Sequence, residues 1–163
     1  MSRANYLSLS AFAKILKFYR IDTMIKQKIY IEEYDWTIYA FFYHSHYDVD
    51  NIMERLWDAE CDSATAFNAY DNLMHGGLNT GLCYSNYRKR ISVFVVAKTT
   101  SACQFANSWH HEMTHLQSHI AKVFDLDPLG EPIAYLTGHI AMQMYPKIGH
   151  LLCEECRSAS CSH

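Results

Sequence analysis

From residue 29 to residue 43 apolar and aromatic side chains run almost without a break, in Ile29-Tyr30-Ile31 and again in Trp36-Thr37-Ile38-Tyr39-Ala40-Phe41-Phe42-Tyr43, with Glu32-Glu33-Tyr34-Asp35 between them. β-Branched and aromatic residues suit a pleated surface, so the pattern predicts two strands that can close as a hairpin. The period then changes to a helical one. Val49, Ile52, Met53, Leu56 and Trp57 share a face behind Asp48 or Asp50 as cap. Ala66, Phe67, Tyr70 and Leu73 share another behind Asp62 or Ser63, with Gly76-Gly77 as the stop. Residues 81–98 split at Asn86-Tyr87-Arg88-Lys89-Arg90 into a short strand, Leu82-Cys83-Tyr84, and a nearly continuous apolar one, Ile91–Ala97, expected to be buried on both faces. Thr99, Thr100 or Ser101 then caps a long helix running through Phe105, Trp109 and Leu116 towards Val123. After the loop Asp125–Gly130, a last helix starts at Glu131 or Pro132 and is expected to end near Met144, ahead of Pro146. His44 and His46 alternate along a strand end and are expected at the surface.

Ahead of these elements, residues 4–20 read as a short amphipathic helix with Lys14, Lys17 and Arg20 among its apolar positions. Residues 1–23 are expected to be an N-terminal extension, 24–152 the domain, and 153–163 a Cys-rich tail. The lysines interrupt the apolar run and no small-residue cleavage site follows, which argues against a secretory signal. No apolar run approaches the ~20 residues of a membrane span.

At 163 residues and 50% hydrophobic, the chain is long enough to bury one core without staples. A formal charge of -3, with 14 basic against 17 acidic residues and no basic block, argues against a nucleic-acid partner. Six cysteines show no disulfide framework, which with the missing signal points to reduced thiols and a cytoplasmic location. Three of them crowd the tail. Cys153 and Cys156 have chelating spacing, and Cys161 with His163 can complete a structural zinc site, against a plain flexible tail as the alternative.

The densest chemistry lies in the middle of the long helix, Trp109-His110-His111-Glu112-Met113-Thr114-His115. Residues four apart stack on one helix face, so His111 and His115 can offer two imidazoles to one ion while Glu112 stands beside them. Neutral imidazoles bind Zn²⁺ without cancelling its charge, and an adjacent carboxylate can take a proton from water. His119 lies one turn further on, but eight residues of straight helix put it ~12 Å from His111, too far to share an ion. Asp125 and Asp127 reach the pair only if their loop doubles back.

With this context the sequence resembles the zincin metallopeptidases, in particular the gluzincin type, over residues 82–145. The resemblance implies a small α+β domain, with an antiparallel-rich sheet packed on the active-site helix and a Glu-bearing helix after it. It implies Zn²⁺ held by His111, His115 and Glu131, with Glu112 as general base and a peptide or protein substrate. It also implies an extended peptide held by strand addition along Ile91–Ala97 or its hairpin partner. Tyr135, and His139 one turn on, follow Glu131 on the same helix and are candidate donors to a developing oxyanion. The family's Asp near that position is missing here, so roles beyond ligands and base do not carry over. The alternative function is a non-catalytic or latent protein on the same scaffold that regulates a protein partner.

Overall fold

The computed structural model describes residues 24–45, 48–75 and 80–157. The predicted N-terminal helix, Gly76-Gly77, His46, Cys161 and His163 lie outside the described residues. β1 (Ile25–Ile31) and β2 (Trp36–His44) pair antiparallel, as the pattern predicts. They are joined by a turn of 3-10 helix, Glu32–Tyr34, that Asp35 closes in the left-handed region at φ 46. β2 leads into α1 (Val49–Asp58) and α2 (Ser63–His75), after which β3 (Gly81–Asn86) and β4 (Ile91–Ala97) form a second antiparallel pair. The four strands make one sheet in the order β1-β2-β4-β3, with β2 and β4 parallel at its centre. The fold is α+β with a mixed sheet. The parallel central pairing arises because the chain between β2 and β4 crosses the sheet by way of α1 and α2.

Alternation along β4 divides the core in two. Phe94 and Val96 pack on one side with Phe42 and Ile38 of β2, against a long helix, α3 (Ala102–Phe124), and its successor α4 (Glu131–Ile148). Val93 and Val95 pack on the other with the apolar faces of α1 and α2. The expectation of a strand buried on both faces therefore holds, all six residues from Ser92 to Ala97 being buried.

Four local expectations change. On α1, Val49, Ile52, Met53 and Leu56 are buried as expected, but Trp57 at the end of the helix is exposed. On α2 the buried stripe is Ala66, Ala69 and Leu73, which joins the core shared with α1, Val93 and Val95, whereas Phe67 and Tyr70 are exposed on its other side. α4 continues through Pro146 to Ile148, because Pro146 sits on the exposed side while Met144 and Ile148 anchor the last turn in the core. His44 is buried at 7% exposure, not at the surface, and its Nε2 makes no hydrogen bond.

Burial holds the His44 imidazole below the usual histidine range, partly offset by the Ser45 carbonyl and by Asp48. Unfolding releases a ring that binds protons more readily, so its contribution to stability is complete above pH ~6.5 and is lost as pH falls towards the folded value. The thermal midpoint of the wild type is expected to drop between pH 7 and pH 5, and that of His44→Leu to drop less over the same interval. Equal slopes would show that His44 is not the group that titrates.

Candidate metal centre

Ser101 caps α3, its hydroxyl accepting from the Gln104 amide at 3.1 Å. Residues 153–157 belong to the same junction: the Glu154 carboxylate accepts from the Ala102 amide and Arg157 donates to the Thr99 hydroxyl at 2.9 Å. The start of α3 is thus tied from two directions. From there the helix runs its apolar face, Phe105, Trp109, Met113, Leu116 and Ile120, along the sheet.

His111 and His115 emerge on the exposed side of α3 with their Nε2 atoms 3.1 Å apart and their rings nearly perpendicular. Two nitrogens on one tetrahedral ion with bonds of ~2.1 Å stand ~3.4 Å apart, so the pair has the spacing of neighbouring ligands. Without a cation between them, two neutral imidazoles tolerate that approach only if one donates its proton to the other. Glu112 turns instead towards β3 and is buried at 6% exposure. Burial pushes its carboxyl above the usual carboxylate range, with His111 pulling weakly the other way. It lies directly on Gly81, where a Cβ would stand 2.5 Å from Glu112 Oε1. Motif reasoning does not find Gly81; the only signal is a glycine opening a strand, where close approach of a neighbour is the usual reason.

His119 also faces β3. Its Nδ1 is 2.9 Å from the Ser85 hydroxyl and 3.9 Å from the Cys83 thiol, and its ring lies between those of His115 and Tyr87. Burial, with Glu112 adding to it, raises the Cys83 thiol well above the normal range, so this sulfur keeps its proton.

α4 lies on the opposite flank of α3. Thr137 donates to Gln117 and Trp109 Nε1 donates to Met144 Sδ at 3.4 Å, which fixes the two helices antiparallel. On a wheel of 3.6 residues per turn, Trp109 and Gln117 point roughly half a turn away from His111 and His115. The same register sets Glu131 beside Val123, ~12 Å along the axis from His115. The fold therefore brings the Nε2 atoms of His111 and His115 together, turns the neighbouring Glu112 to β3, and sets Glu131 on the other flank of the helix. Tyr135 is exposed and, with His139, lines a cleft of ≈ 440 Å³ against Glu32 and Glu33, also away from the pair. Asp125 is the left-handed cap of α3, its backbone N–H donating to the Ala121 carbonyl, and the Asp127 carboxylate accepts from the Leu129 amide. Among the described residues no group of three or more His, Cys, Asp or Glu stands close enough to hold one metal ion.

β3 is the outer strand of the sheet and β4 an inner one, paired on both sides. Of the two strands that could present a free edge to a peptide, only β3 does so among the described residues, and it is the strand against which Glu112 and His119 pack. No family model, curated protein or solved structure matches this chain. No helix among the described residues is long and apolar enough to cross a membrane.

Proposed function

We propose that the chain is a zinc-dependent hydrolase of peptide bonds in which His111 and His115 hold the ion and Glu112 is the general base. The observation that carries this reading is the 3.1 Å approach of the two Nε2 atoms beside a buried carboxylate. Zinc held by the two imidazoles would polarise a carbonyl and lower the pKa of water. Glu112 takes the proton of the attacking water on its carboxylate and returns it to the leaving amine. A carboxyl pushed up by burial suits both tasks better than a solvated one, since proton transfer is most efficient when the pKa lies nearer the working pH. The free edge of β3 accepts the peptide as an added strand beside Glu112. A reducing, cytoplasmic setting is part of the proposal, on the cysteine usage.

Metal analysis of the purified chain tests it. Wild type is expected to hold about one zinc ion, His111→Ala and His115→Ala to lose it, and the Cys153→Ser/Cys156→Ser double variant to keep it. Zinc retained in both histidine variants would overturn the site. Glu131→Gln reports on the third ligand: with the helices packed as here zinc is unaffected, whereas loss of zinc would require α4 to swing Glu131 around α3. The distance of Glu131 from the pair also favours a second reading, a zinc-binding scaffold without turnover that regulates a protein partner. A wild type that binds zinc and cleaves no peptide supports that one.

A further inference from the structure

A chain of hydrogen bonds leads from the core to the histidine stripe, and its direction is decided at its buried end. Trp36 Nε1–H, which can only donate, lies 2.8 Å from Ser92 Oγ. Both residues are fully buried, at 0% exposure. Ser92 Oγ is 2.7 Å from Ser85 Oγ, and Ser85 Oγ is 2.9 Å from His119 Nδ1. If Ser92 accepts from Trp36, its own proton goes to Ser85. Ser85 then donates to His119 Nδ1, and every donor in the chain is satisfied. The reverse order would make Ser92 accept from both neighbours and strand its hydroxyl proton in the core, which costs the desolvation of an unmade hydrogen bond. The Cys83 thiol, also directed at Nδ1, adds a second donor on that side. In this order Nδ1 is an acceptor, and the proton sits on Nε2, on the opposite edge of the ring.

We propose that His119 is a fixed hydrogen-bond donor to a backbone carbonyl of a peptide bound along β3, and not a zinc ligand, with Ser85, Ser92 and Trp36 as positioning residues that hold its tautomer. The role rests on the hydrolase reading above. A protonated Nε2 offers no lone pair to an ion, whereas a peptide carbonyl accepts from it directly. The half-buried ring stands next to His115, with a centroid separation of 6.3 Å, and is clasped on its other side by Tyr87. The ring is thereby held next to His115 and against β3, the strand whose edge takes the substrate in this reading.

Nitrogen NMR of the histidine side chains, with His119 assigned by its loss in His119→Gln, tests the tautomer without any turnover. The expected pattern is an unprotonated Nδ1 and a protonated Nε2 at neutral pH, and in Ser85→Ala and Ser92→Ala a shift towards the mixture of an unrestrained imidazole. A protonated Nδ1 in the wild type, or a pattern unchanged in both serine variants, overturns the positioning chain. In assays with an internally quenched peptide library, His119→Ala is expected to keep zinc and lose about tenfold in kcat/KM, chiefly through KM, the scale of one hydrogen bond to bound substrate. His119→Gln, which keeps an N–H donor, is expected to recover part of it. Zinc lost with His119→Ala would make His119 a ligand and overturn the donor role. If the wild type cleaves no peptide, the hydrolase reading and the donor's task fall together, while the tautomer is decided by the spectrum alone.

Discussion

Gly81→Ala is expected to leave zinc bound and to cut hydrolysis by about a hundredfold, the scale of a reacting group misplaced by roughly 1 Å. The new Cβ would stand 2.5 Å from Glu112 Oε1, 2.7 Å from its Cγ and 2.8 Å from its Cδ, closer than carbon and oxygen can approach. One side must give way. Gly81 is paired with Val96 in the β3–β4 ladder and its neighbours are fixed by that register, so the strand resists moving. The Glu112 side chain, the freer of the two, is pushed off the position from which it would serve the pair. The three atoms nearest the added Cβ all belong to Glu112 and none to His111 or His115, so metal content should equal that of wild type. Stability should fall as well, by about 1–3 kcal/mol, as for other insertions into a packed site. Metal analysis, denaturant unfolding and peptide cleavage on one preparation separate the three effects. Full activity in this variant would mean that Glu112 works from another position and that its contact with Gly81 is only packing.

The sequence made the elements easy to read where one period dominated, and harder where a neighbour decided the outcome. β4 announces itself because Val93 to Val96 leave no polar face, and α3 because its apolar stripe repeats from Phe105 to Ile120 behind a serine cap. The exposed Phe67 and Tyr70 of α2 do not, since hydrophobicity alone ranks them above Ala66 and Ala69, and only the face that α2 turns to α1 and the core reverses that order. Within the site, spacing of four predicts the approach of His111 to His115, a local property of any helix. The place of Glu131 is not local. It depends on the loop between α3 and α4 and on which flank α4 covers, which Gln117, Thr137, Trp109 and Met144 settle by packing. His44 was hidden for a similar reason: a strand-end histidine looks solvated until α2 and β3 close over it, around a cavity of about 50 Å³ that Leu73 and Leu82 help to line. The hydrogen-bond chain of His119 joins residues from positions 36, 85, 92 and 119, a juxtaposition no sequence window contains.

Glu112→Gln should separate chemistry from folding in opposite directions. The amide has nearly the volume of the carboxyl, so the contact with Gly81 and the zinc content should persist, while the loss of the base is expected to lower kcat by about 10²–10⁴-fold. Stability should move the other way. Burial raises the carboxyl above its unfolded value, so the folded chain binds this proton more tightly than the unfolded one. Ionisation then costs stability, and the cost grows as pH rises from the unfolded pKa of ~4.3 through the folded value. An uncharged glutamine does not bear it. The thermal midpoint of Glu112→Gln should therefore exceed that of metal-free wild type at pH 8 and converge with it near pH 4, where both side chains are neutral. Zinc needs to be removed for this comparison, because an ion bound beside the carboxylate stabilises its charged form and masks the difference. A buried acid kept at a cost to the fold is what a working base requires and what a packing residue does not. A variant with lower stability than wild type at pH 8, and with turnover intact, would return Glu112 to the core as an ordinary buried side chain.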